Sequence, residues 1–153
     1  MSPIVVRIFF SFLSLFYIAA IFILAESPAV HTFSDINPYS LLHIPLYGIM
    51  TLLLVCSLVP IPRGFKHRSI QPNNDSARRR PRGTAGLKFR LFIAGGIALV
   101  VGAFDEIHQL YVPGREASPG DVVLDMVGIA IALLLCLILF KTRFVDNPTQ
   151  SAQ

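Results

Sequence analysis

The residues able to do chemistry gather between Asp105 and Asp125, in the segment DEIHQLYVPGREASPGDVVLD. The segment opens inside one long apolar run and closes inside the next. Two helix ends therefore deliver Asp105, Glu106, His108, Gln109, Asp121 and Asp125 to one side of a membrane, with Arg115 on the short loop between them. Ionisable groups at that depth are expensive, and as a rule they pair, face protein or carry function. Three uses fit the set. The first is binding or turning over a phosphorylated lipid headgroup, with Arg115 as a bidentate oxyanion clamp and a carboxylate–histidine pair for proton transfer. The second is a divalent cation held by Asp105, Glu106, Asp121 and Asp125. The third is structural, a lock between helix ends with Arg115 folded back on Asp105 or Asp121.

Composition says what kind of chain must position these groups. Hydrophobic residues make up 54% of the 153 residues and charged residues 14%, against about 45–50% and 25% in typical soluble chains. The mean hydropathy of +0.64 fits several membrane spans, and no long hydrophilic stretch offers a separate soluble domain. Nine of the thirteen Lys and Arg residues lie between Arg63 and Arg90. That clustering makes the net charge of +4 a topology signal rather than a nucleic-acid footprint. Cys56 and Cys136 sit inside apolar runs without metal-ligand spacing, so neither a disulfide scaffold nor a cysteine metal site is expected. No cofactor motif is present.

Four apolar runs predict an all-α membrane protein with four transmembrane helices, over about residues 4–25, 38–59, 87–111 and 121–140. The first run exceeds the usual apolar region of a cleavable signal, so a retained first helix is expected. Asn37-Pro38 reads as the start of the second span, and Pro60-Ile61-Pro62 as its stop. Within that span His43 and Tyr47 are four apart and share a face with Met50 and Leu54. Pro45 frees the carbonyl of Leu41, which predicts a kink or a hydrogen-bonding side chain near His43. In the third span Gly95, Gly96 and Gly102 allow close helix contact. Asp105, His108 and Gln109 fall on one face near its end, with Glu106 about a hundred degrees round. Ser118 and Pro119 read as cap and first residue of the fourth helix, along which Asp121, Asp125, Gly128 and Ala132 form one stripe.

The basic connection, residues 63–86, carries no apolar periodicity and is expected to be a disordered cytoplasmic loop. Arg7, Lys141 and Arg143 then place both termini in the cytoplasm. The two remaining loops face outward, and His43, Asp105 to Gln109, and Asp121 with Asp125 share one outer-leaflet layer. His43, Asp105 and Glu106 are the candidates for proton transfer. Arg115, Tyr47, Gln109, Asp121 and Asp125 are the candidates for binding. His43 is expected to face the third helix, and Asp105 to lie within hydrogen-bonding range of Arg115. No nucleophile stands out, so the residues assign no reaction.

The pattern Asp105-Glu106, Gln109, Pro113-Gly114-Arg115, Asp121 and Gly128, with His43 and Tyr47 before it, resembles the signature of the VanZ-like family of small bacterial membrane proteins. The resemblance covers about residues 38–139. It implies four to five helices in a bacterial inner membrane and, for the founding member, a link to glycopeptide (teicoplanin) resistance. It fixes no biochemical activity. Two departures stand out: Tyr39 and Ser40 replace a common Asp-Lys, and Asp125 replaces a usual asparagine. Both make the polar rim more acidic. The resistance role is therefore not carried over, and two readings remain. One is a site for a phospholipid or lipid-linked precursor; the other is an accessory subunit of a larger membrane protein complex.

Overall fold

The computed structural model describes residues 2–26, 41–59, 84–113 and 118–145. These residues form α1 (Pro3–Ala25), α2 (His43–Leu58), α3 (Thr84–Gln109) and α4 (Pro119–Val145), with no strand among them. The described part of the chain is all-helical. α1, α3 and α4 are long and apolar enough to cross a membrane, whereas α2 is a shorter apolar helix. Residues 60–83, which hold most of the basic connection, lie outside the described residues, as do Asn37-Pro38, Tyr39 and Ser40.

α1 begins where Ser2 accepts a hydrogen bond from the Val5 amide and Pro3 takes the first turn, a position that needs no amide hydrogen. Ser11 and Ser14 return their hydroxyls to the carbonyls of Arg7 and Phe10, so both hydroxyls are satisfied within the helix. Phe9, Phe12 and Phe16 point away from the protein, while Ser14, Ile21 and Ala25 are buried.

α2 is the centre of the bundle and packs on all three other helices, most extensively on α4. Tyr47, Met50, Thr51, Leu54 and Val55 are buried along it, meeting Ala94 and Ala98 of α3 and Ile129 and Cys136 of α4. Its 16 residues rise about 24 Å, short of the roughly 30 Å hydrocarbon thickness. The α-helix starts at His43, after Leu41 and Leu42 in a 3₁₀ turn. Pro45 therefore falls in the first α-helical turn, where a missing donor costs little. The far end is closed by neighbours: Arg7 Nε donates to the Ser57 carbonyl at 3.0 Å, and Arg90 donates to the Leu58 carbonyl. Cations at a helix C-terminus are favoured by its dipole.

Glycines set the α2–α4 and α3–α4 distances. A Cβ on Gly128 would lie 2.2 Å from the Ile44 carbonyl oxygen, so only glycine lets the two backbones meet. Gly102 and Gly95 leave room for Asp125 and Leu133 in the same way, with a Cβ at 2.9 Å from each. Gly96 differs from the sequence expectation: nothing approaches it within 4 Å, because it faces outward beside the contact stripe.

Candidate functional site

The first turns of α2, the last turns of α3 and the first turns of α4 meet at one end of the bundle. α3 stops in a turn in which the amides of Tyr111 and Val112 reach back to the carbonyls of His108 and Gln109. α4 then starts on Ser118, whose hydroxyl accepts from the Gly120 amide at 3.2 Å, with Pro119 as the first helical residue. This is the cap that the sequence predicts. The Ser118 amide in turn donates to Glu106 Oε2 at 3.0 Å. One carboxylate thus ties the end of α3 to the start of α4, where the helix dipole favours negative charge.

Beneath this tie lie two connected hydrogen-bonded groups. His43 Nδ1 is 2.8 Å from Asp125 Oδ1. The Tyr47 hydroxyl donates to Asp105 Oδ2 at 3.2 Å, and the Gln109 side-chain amide donates to the same oxygen at 3.1 Å. The His43 and Tyr47 rings stack with centroids 6.1 Å apart and planes 8° from parallel, which links the two groups along α2. Thr51 holds the turn below by donating to the Tyr47 carbonyl at 2.7 Å. His43, Tyr47, Asp105, Glu106, Gln109 and Asp125 are all buried, none exceeding 8% exposure.

Among the described residues, acceptors outnumber donors here. Glu106 Oε1, Gln109 Oε1 and Asp125 Oδ2 are buried with no hydrogen-bond partner among the described residues. A buried polar atom without a partner costs about 1–3 kcal/mol, so three such acceptors in one place need an explanation. His43, Glu106 and Asp125 can moreover each present one ligand atom within 4.8 Å of the others.

The structure brings together most of the residues singled out in the sequence, with changes in their partners. His43 sits against the third helix through its grouping with Glu106, but its hydrogen bond is to Asp125 of the fourth. Glu106, expected off the shared face, is inside the cluster. His108, expected on that face, is turned toward α1, where Nε2 lies 3.1 Å from Glu26 Oε1 and the ring meets Phe22 edge-on at 5.4 Å. Asp121 is half-buried one turn outside Asp125. The grouping able to surround one cation is therefore His43, Glu106 and Asp125, in place of the four carboxylates drawn from spacing. Arg115 lies outside the described residues, and with it the expected contact to Asp105. The Ser118 amide and Glu26 are the contacts that the sequence did not reveal. A backbone donor has no side-chain signature, and Glu26 looks like an ordinary end-of-helix acid.

A family model described as VanZ/LLP1 matches residues 8–140. No curated protein and no solved structure matches the chain.

Proposed function

Since the chain belongs to the VanZ/LLP1 family over most of its length and is a membrane protein with three helices fit to span, we propose that its buried polar end is a binding site for a phosphorylated or cell-wall-precursor lipid headgroup, in the outer leaflet of the bacterial inner membrane. The observation that carries the proposal is the excess of buried acceptors. Glu106 Oε1, Gln109 Oε1 and Asp125 Oδ2 call for donors that the described residues do not supply. Headgroup hydroxyl or ammonium groups are donors of that kind.

Arg115, three positions before Ser118 in the chain, takes the phosphate, since a guanidinium matches its oxygens bidentately. Tyr47, Gln109, Asp121 and Asp125 form the recognition wall; His43, Asp105 and Glu106 orient the headgroup and hold its protons. The Tyr47 hydroxyl is committed to Asp105, and the role proposed for the cluster is headgroup binding.

The test is native mass spectrometry of the protein released from membranes in mild detergent. The parent is expected to carry an anionic lipid that Arg115→Ala loses. Equal retention of every anionic lipid by the variant overturns the reading. Stoichiometric co-purification with a larger complex and no bound lipid replaces it with the accessory-subunit role.

A further inference from the structure

We propose that His43, Glu106 and Asp125 form a binding site for a first-row divalent cation of the Zn²⁺ or Mn²⁺ type. One imidazole and two carboxylates come from three different helices, and each can place a ligand atom within 4.8 Å of the other two. Ligands arranged tetrahedrally at about 2.0–2.2 Å from one zinc ion stand roughly 3.3–3.6 Å apart, so the three side chains draw together on binding to close the set.

Proximity of acids alone would carry nothing. The second observation is that Glu106 and Asp125, at 8% and 2% exposure, each keep one carboxylate oxygen buried without a partner among the described residues. In both residues the other oxygen is already engaged, by the Ser118 amide at 3.0 Å and by His43 Nδ1 at 2.8 Å. The Ser118 amide stands outside the set, and such outer contacts orient metal ligands, whereas the His43–Asp125 contact joins two members of the set. A cation answers the excess of acceptors directly, since every group in the set is a Lewis base.

The donor set also selects the ion. A mixed nitrogen–oxygen set departs from the all-oxygen preference of Ca²⁺ and Mg²⁺, and the absence of thiolate from it argues against Cu⁺ or iron–sulfur chemistry. Three protein ligands leave a position open for an exogenous oxygen. The inference shares the unpartnered Glu106 and Asp125 oxygens with the headgroup reading but requires no lipid.

The measurement uses the full chain in nanodiscs of zwitterionic lipid, stripped with chelator and then equilibrated with Zn²⁺ or Mn²⁺ alone. Metal retained after desalting should approach one ion per chain. Glu106→Gln should lower affinity at least about tenfold, while Glu26→Gln, an acid-to-amide change outside the set, should leave it unaltered. Should Glu106→Gln fail to fold, as judged by circular dichroism and gel filtration, Mn²⁺ electron paramagnetic resonance on the parent decides: nitrogen coupling from His43 is expected. Absence of retained metal, retention by a folded Glu106→Gln protein equal to the parent, or a bound Mn²⁺ without nitrogen coupling overturns the site. Anionic lipid is left out, so failure here and failure of the headgroup reading remain separate results.

Discussion

The two ends of α2 solve opposite electrostatic problems in different ways. At the Leu58 end, carbonyls without helical partners are met by Arg7 and Arg90 from neighbouring helices. Both arginines retain solvent exposure, so their charge is stabilised without deep burial, and the end is a closed structural arrangement. At the His43 end His43, Asp105, Glu106 and Asp125 are buried, and among the described residues three acceptors are left over. The contrast teaches that this chain can satisfy a helix terminus when stability alone is at issue. On the proposed reading the surplus at the other end belongs to a site, since natural proteins keep such local cost where function needs it.

Breaking the His43–Asp125 pair should have the largest effect. His43→Leu leaves a buried carboxylate without its partner and should lower stability by about 3–5 kcal/mol. The double change to leucine at both positions should recover most of that loss. Reversible unfolding in detergent measures both. If the single change proves harmless, the 2.8 Å contact is not part of the folded core.

Next comes the close crossing that holds both ends in register. Gly128→Ala places a methyl group against the Ile44 carbonyl and should cost about 3 kcal/mol, the upper part of the range for overpacking. It should also weaken metal retention, because α4 moves away from α2 directly beneath Asp125. Gly96→Ala, with nothing near its Cβ, should leave stability unchanged or slightly raised. Equal effects at the two glycines would contradict the packing described.

The arginine end should respond least. Arg90→Ala removes one donor from the α2 C-terminus and should cost about 1 kcal/mol, a usual size for a cation at a helix end. No change in metal or lipid binding should accompany it. Altered binding would mean that the two ends are coupled.

Much of this arrangement is legible in the sequence because it rests on periodicity. Apolar runs mark the helices, and of the predicted Asp121–Asp125–Gly128–Ala132 stripe the last three are buried, with Asp121 half-buried at its end. The His43–Tyr47–Met50–Leu54 stripe is likewise buried as its spacing predicts. What spacing could not reveal is which neighbour each face meets. Asp105, His108 and Gln109 share a helical face, yet His108 is drawn to Glu26 and Phe22 by the position of α1, and Glu106 turns inward because Ser118 of the next helix offers an amide. The limits of α2 escape for a related reason: Pro45 reads as an interior proline only until the helix is known to start at His43. The tight approach of Gly128 to Ile44 depends on two backbones distant in sequence, and a glycine alone does not name its partner.

Whether the acidic end is a site or a stabilising network is decided by the melting temperature of metal-free Glu106→Gln. A glutamine keeps an oxygen for the Ser118 amide and adds two donors where acceptors are in surplus. Unchanged or raised melting, together with lost metal retention, is the predicted result. A fall of more than about 4 °C, equivalent to roughly 1–2 kcal/mol in a chain of this length, would mean that the Glu106 charge holds the fold together and would contradict the account.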